Sequence, residues 1–235
     1  REEVLVCEEK RRTAYHEAGH ALLAWLLKGV DRVHKVTVIP RGRTLGVTQM
    51  LPEEDRLSAS EAELHHRLSC LLGGREAEKI IYDECSVGAG NDLERATEIA
   101  RMMVTQWGMS RRLGPVSYKL SNEDPFLGRE MHAQRQFSEH TLQIIDEEVA
   151  RILHAASENA RKVLEENRDK LDAMAAALVE EEELDDDEIT KLIGPSIHHH
   201  AAASNSAPHS VDGRPTPAST SETSAHGDGQ EKTSS

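Results

Sequence analysis

His16, Glu17, Ala18, Gly19 and His20 form an H-E-x-x-H run near the start of the chain. On a helix, positions i and i+4 lie on one face, a turn apart. Two imidazoles placed that way can ligate one metal ion. Zinc accepts neutral His nitrogen and, in catalytic sites, keeps a position for water. It brings the pKa of that water down to about 7. Glu17, next to the first imidazole, has a carboxylate within reach of the same water. It is therefore the candidate general base, with His16 and His20 as candidate ligands.

These residues need a rigid support. Between Lys10 and Leu27 there is no proline, and the only glycine is Gly19. Ala14, Ala18, Ala21, Leu22, Trp25 and Leu26 recur at three- and four-residue spacing, which predicts a helix with a core-facing stripe. Residues 1–9 read as the charged end of a connection. Lys28-Gly29 supplies a C-terminal stop.

A strand is predicted over 33–40, with Val36 and Val38 on one face. A turn at Arg41-Gly42-Arg43 and a second strand over 44–51 make a hairpin. Extended substrates of zinc peptidases commonly add to a sheet edge by main-chain hydrogen bonds. Leu45 to Gln49 is the candidate edge, and an ordinary structural hairpin is an equal alternative.

Ser58 and Glu61 fit a capping box. It predicts a helix over 58–72, broken at Gly73-Gly74, with a short helix over 75–81. His65-His66 point about 100° apart and cannot share a metal. Asn91 and Glu94 fit another capping box, opening a helix to about Gln106. Asp92 falls in its first turn, a place suited to a third metal ligand. From the residues alone the simpler reading is that it only complements the helix dipole, and Glu78, Asp83 and Glu84 compete for the ligand role.

Residues 121–135 read as a polar loop. A long apolar stripe from Leu142 to Leu164 predicts a helix starting near Ser138, with further helices over 168–181 and 186–193. The acidic run 180–188 reads as a solvated helix junction. Residues 197–235, rich in Ser, Thr, Pro, Gly and His, bury too little to order themselves. The expected division is a domain over 1–196 and a disordered tail over 197–235.

The chain has 235 residues and a net charge of -14. That balance disfavours non-specific nucleic-acid binding and docking on anionic lipid. Only 3% of residues are aromatic, so the core must be aliphatic and Ala-rich, as packed helices allow. Cys7, Cys70 and Cys85 are widely spaced, which argues against a disulfide framework. No apolar run nears the about 18 residues that span a bilayer, so a soluble segment is expected. Arg1 at the first position leads to the expectation of a processed chain or a piece of a longer protein, with a stand-alone relative as the alternative.

Several motifs then occur in a recognisable order. Thr13-Ala14-Tyr15-His16-Glu17-Ala18-Gly19-His20-Ala21 is followed by Leu45-Gly46-Val47-Thr48 and Gly73-Gly74-Arg75 with Ala77-Glu78. Next come Gly90-Asn91-Asp92-Leu93 and Met103-Val104-Thr105-Gln106-Trp107-Gly108-Met109-Ser110. Leu113-Gly114-Pro115, Phe126-Leu127-Gly128-Arg129 and Ile145-Asp146-Glu147-Glu148-Val149 complete the set. Over about residues 10–195 the chain resembles the peptidase domain of FtsH-type, ATP-dependent zinc metalloproteases.

The resemblance implies a mainly helical fold with a small sheet beside the site. It implies Zn²⁺ held by His16, His20 and Asp92, with Glu17 as base and Glu78 orienting a ligand histidine. The segment Leu45, Gly46, Val47 and Thr48 would then contact substrate. It also implies an endopeptidase acting on unfolded or membrane-protein chains, in a homo-hexamer driven by an AAA ATPase module. The full-length protein would be membrane-anchored, with this domain on the cytoplasmic (or matrix or stromal) side. This chain contains no G-x-x-x-x-G-K-[ST], so no ATP-binding P-loop is expected in it. The rival reading is a catalytically silent, zinc-structured scaffold or chaperone module. Glu17 argues against it, because a structural site needs no base and usually closes with a fourth protein ligand.

Overall fold

The computed structural model describes residues 2–40, 46–51, 58–118 and 137–198, and for 2–6 the backbone alone. Helix α1 (Glu2–Leu26) runs through the centre. Every residue from 14 to 25 is buried, so this helix is covered on all sides. Over 2–9 the expected connection is instead the first turns of this helix. No glycine or proline stands there to stop a helix from extending backward.

Helix α2 (Glu61–Tyr82) lies against α1. The pattern S-x-x-E occurs twice before it, and the second copy forms the cap. The Ser60 backbone N–H donates to Glu63 at 2.8 Å, and Ser60 Oγ accepts from the Glu63 N–H. The Ser58 and Glu61 box is therefore a correction of two residues. A larger one concerns Gly73-Gly74, where α2 continues unbroken. An interior glycine costs about 1 kcal/mol against alanine. Here that cost is offset by close approach of the two helices. A Cβ on Gly19 would sit 2.5 Å from the Gly73 carbonyl oxygen and 2.8 Å from the Ala77 Cβ.

That contact yields a stability prediction. Backbone oxygen cannot swing away, so Gly19→Ala should push the helices apart and cost about 1–3 kcal/mol, the usual range for overpacking. Urea unfolding monitored by circular dichroism checks it, and an unchanged midpoint would refute the close packing.

A three-stranded antiparallel sheet also packs against α1, through β1 and β2. Strands β1 (Arg32–Thr37), β2 (Val47–Leu51) and β3 (Glu183–Asp185) lie in the order β2-β1-β3. Thr48 pairs with Val36 and Thr37 with Glu183. The fold is thus mainly helical with a small sheet, as expected. Strand β3 was not expected: it lies inside the acidic run read as a solvated junction. Three carboxylates of that run have basic partners. Glu183 meets Lys35 at 2.7 Å, Glu182 meets Lys10 at 2.6 Å, and Asp186 meets Arg32. Leu184, between them, is buried.

A single 3₁₀ turn (Val87–Ala89) leads into α3 (Gly90–Thr105). Asn91 is therefore not the N-cap. The Gly90 N–H already bonds to Val87, so the chain is helical before Asn91 is reached. Helices α4 (Glu139–Glu166), α5 (Arg168–Glu181) and α6 (Asp186–Ile193) complete the described fold. Helix α4 begins beside Ser138 as expected, and the Ser138 side chain caps it by accepting from the Thr141 N–H.

Two apolar clusters result. One joins α1, the sheet, α5 and α6 through residues such as Leu22, Trp25, Val36, Met174 and Ile189. The other joins α2, α3 and α4 through Leu68, Met103, Val104 and Ile152. Two buried carboxylates tie the second cluster together. Glu76 accepts from Ser157 at 2.7 Å, and Glu148 accepts from Ser110 at 2.6 Å and from Arg151. Hydrogen bonds from Arg151 hold the Glu148 carboxyl below its ordinary range.

All three cysteines are free. No described helix is long and apolar enough to cross a membrane. The predicted turn at 41–43, the loop over 121–135 and the tail from 199 onward lie outside the described residues. Ile197 and His198, at the foot of that tail, hydrogen-bond to the carbonyls of Trp25 and Ala24.

Candidate metal centre

His16 and His20 project from one face of α1, both buried. Asp92 reaches them from the first turn of α3. The three donor atoms converge. The two Nε2 atoms are 3.1 Å apart, and Asp92 Oδ2 lies 3.4 Å from that of His16 and 3.3 Å from that of His20. Among the described residues, this is the one group of three or more such side chains whose donors lie within 4.8 Å of one another.

Helix α2 fixes the other ring nitrogens. His16 Nδ1 lies 2.7 Å from Glu78 Oε1, and His20 Nδ1 lies 2.8 Å from the Cys70 carbonyl oxygen. A carbonyl oxygen can only accept, so the His20 Nδ1 donates. Glu78 is itself held by the Ser86 N–H at 2.8 Å and the Ser86 hydroxyl at 2.9 Å. Arg12 stands 3.6 Å from its second oxygen. Gly74 gives the His16 ring its room: a Cβ there would lie 2.5 Å from Nε2.

The arrangement fits a zinc ion. With both Nδ1 atoms donating, neutral imidazoles would aim two Nε2 lone pairs at each other and at a carboxylate. Only a positive charge relieves that contact. Two nitrogens held about 2.0–2.1 Å from one zinc at tetrahedral angles stand about 3.3–3.4 Å apart, close to the three separations found here. The electrostatics agree. Burial alone would lower the His16 pKa, but hydrogen bonds to Asp92 and Glu78 outweigh it and push it up to about 9. Burial would raise Asp92, yet the two imidazoles hold its carboxyl far below the ordinary range. Glu78 is likewise lowered, burial being outweighed by His16 and Ser86. These shifts reflect carboxylates converging on the buried His16 ring.

The competing carboxylates sit elsewhere. Asp83 is the left-handed C-cap of α2, Glu84 pairs with Arg12, and Glu78 faces the Nδ1 side of His16. Burial pushes the Cys70 thiol up to about 12, which keeps it neutral. Glu17 is buried on α1, and its Oε2 accepts from the Thr48 hydroxyl at 2.7 Å. Gly46 lies beside the same carboxylate, Val47 opens β2, and Leu45 lies outside the described residues. The sequence reading did not anticipate Ser86, the Cys70 carbonyl or the bond from Thr48 to Glu17. Only the glycine pair at 73–74 carried a signal, as a close approach rather than a break.

Comparison with known proteins agrees with this geometry. The model of peptidase family M41 matches residues 3–192. The ATP-dependent zinc metalloprotease FtsH 1 of Rhodopirellula baltica is 66% identical over 198 residues, covering 84% of this chain and 30% of that protein. The ATP-dependent zinc metalloprotease FtsH of Nitrosococcus oceani is 50% identical over 192 residues, covering 82% and 30%. That of Syntrophotalea carbinolica is 45% identical over 213 residues, covering 89% and 33%. The chain thus spans about a third of the length of these relatives. A family match over nearly the whole described fold, with three donors converging where that chemistry needs them, makes the cofactor zinc and places the chain in peptidase family M41, as an FtsH-type zinc metalloprotease domain.

Proposed function

We propose that His16, His20 and Asp92 hold the zinc, that Glu17 is the general base and that Glu78 orients His16. The observation that carries this is the placement of the Glu17 carboxylate. It is buried, next in sequence to His16, and fixed by a hydrogen bond to β2. Zinc, when bound, polarises the scissile carbonyl and lowers the pKa of water to about 7. Glu17 takes a proton from the attacking water and returns it to the nitrogen of the leaving amine. Glu78 and the Cys70 carbonyl keep both imidazoles in the tautomer that turns Nε2 inward. The outer edge of β2, with the 45–48 segment, binds the substrate main chain as an added strand. Among the described residues that edge pairs with no other strand.

The family resemblance leads to a wider reading, of which the relatives' names carry the zinc, the proteolysis and the dependence on ATP. The domain extends over 1–196 and works within a longer, ATP-dependent protein. That protein is a homo-hexamer anchored in a membrane, with this domain on the cytoplasmic (or matrix or stromal) side. Its AAA ATPase module delivers unfolded or membrane-protein chains. By itself the domain cuts only chains already unfolded.

The test is hydrolysis of casein beside a tightly folded protein of similar size. Casein should be cut and the folded protein spared. Chelation with phenanthroline should abolish cutting, and added zinc should restore it. Helicity should survive chelation, because neither apolar cluster uses the metal ligands as its core. Cutting that persists without zinc would sink the reading. Intact casein with zinc bound would favour the scaffold.

A further inference from the structure

We propose that Thr48 is a positioning residue that ties the Glu17 carboxylate to the strand edge offered to substrate. This rests on the reading of Glu17 as the base and goes beyond it. A glutamate side chain has three rotatable bonds, and a base must meet its proton within hydrogen-bond reach. Glu17 is gripped from two sides. Thr48 Oγ1 lies 2.7 Å from Oε2 and 3.3 Å from the Glu17 carbonyl oxygen. Its single proton goes to the nearer, charged acceptor, which makes the stronger bond. On the other side stands the Gly46 backbone. A Cβ there would come within 2.8 Å of Glu17 Cγ, 2.9 Å of Oε1 and 2.8 Å of Thr13 Cγ2. One carboxylate oxygen is therefore anchored, and the other rests against a residue that only glycine can fill without displacing it.

The anchor itself is stiff. Thr48 is β-branched, so its χ1 is restricted. Its backbone is locked in register with Val36 on the central strand. Gly46 and Thr48 flank Val47 on the segment proposed to pair with substrate. A main chain laid along that edge therefore bears on the same backbone that holds the base. Substrate docking and base placement are coupled through two residues. The side chain of Thr48 is spent on Glu17, so removing its hydroxyl should spare main-chain pairing and show in turnover.

The experiment uses the full zinc-loaded chain and a fluorogenic peptide. Thr48→Val should lower kcat by about 10–100-fold, the scale of a lost supporting contact, with KM within about twofold. Thr48→Ser should restore most of it. Gly46→Ala should likewise reduce kcat, by pushing the carboxylate aside. In a Glu17→Gln background, Thr48→Val should cost nothing more. A readout free of turnover is the affinity of a peptide hydroxamate, whose hydroxyl gives its proton to a well-placed carboxylate. Calorimetry should show it weakened about tenfold by Thr48→Val, at unchanged zinc content and melting temperature. A wild-type kcat in Thr48→Val, or a loss confined to KM, overturns the positioning role. A wild-type kcat in Glu17→Gln removes the base reading instead, so the two failures are distinct.

Discussion

Glu17→Gln is expected to lower peptide hydrolysis by about 10²–10⁴-fold, the usual contribution of a positioned general base, while zinc stays bound. The substitution keeps shape and removes basicity. Gln still offers an oxygen to the Thr48 hydroxyl, so the bond that holds the side chain survives. The three converging donors, His16, His20 and Asp92, are untouched. The loss should therefore fall on kcat and not on metal content or melting temperature. Peptide turnover with zinc measured on the same sample decides the matter. Retained turnover would remove Glu17 from the chemistry, and lost zinc would recast it as a structural neighbour of the ligands.

Asp92→Ala should have the largest effect on the metal itself. Removing it deletes one of three donors and the carboxylate that faces both Nε2 atoms. The loss in zinc affinity should exceed the about 10–100-fold found when only an outer partner of a ligand is changed. Competition with a chromogenic chelator measures it. The controls are Asp83→Ala and Glu84→Ala, which alter a helix cap and a pair with Arg12. Those two should leave affinity unchanged. If either weakened zinc as much as Asp92→Ala, the ligand assignment would be wrong.

How much of this could be read from the sequence depended on the range of the contacts. The placement of His16, Glu17 and His20 follows from spacing on one helix, so five residues sufficed to bring them together. Helix α4 carried a sustained stripe, and α5 and α6 fell at the limits read for them, 168–181 and 186–193. Asp92 sits in a first turn where a ligand and a dipole partner look alike, and only the family resemblance separated them. The glycine pair at 73–74 was misread because intrinsic propensity speaks before tertiary packing does. Within α2 alone a glycine pair that lets α1 press close looks the same as one that ends the helix. Strand β3 is three residues of poor strand composition, and its pairing with β1 comes from the far end of the chain. Thr48 was placed on the right strand, but its bond to Glu17 spans 31 positions. Register of that kind leaves no local trace.

Helix α2 also bears on how this site can diverge. Cys70, Gly74 and Glu78 are spaced four apart and meet His20 and His16 in turn. Each added or deleted residue turns a helix by about 100°. A single insertion between 70 and 78 would rotate one of these supports away while leaving the others in place. The same holds between the two histidines of α1. These stretches can therefore change by substitution alone. Length variation must be absorbed outside them, in segments that no helical pitch measures against the metal.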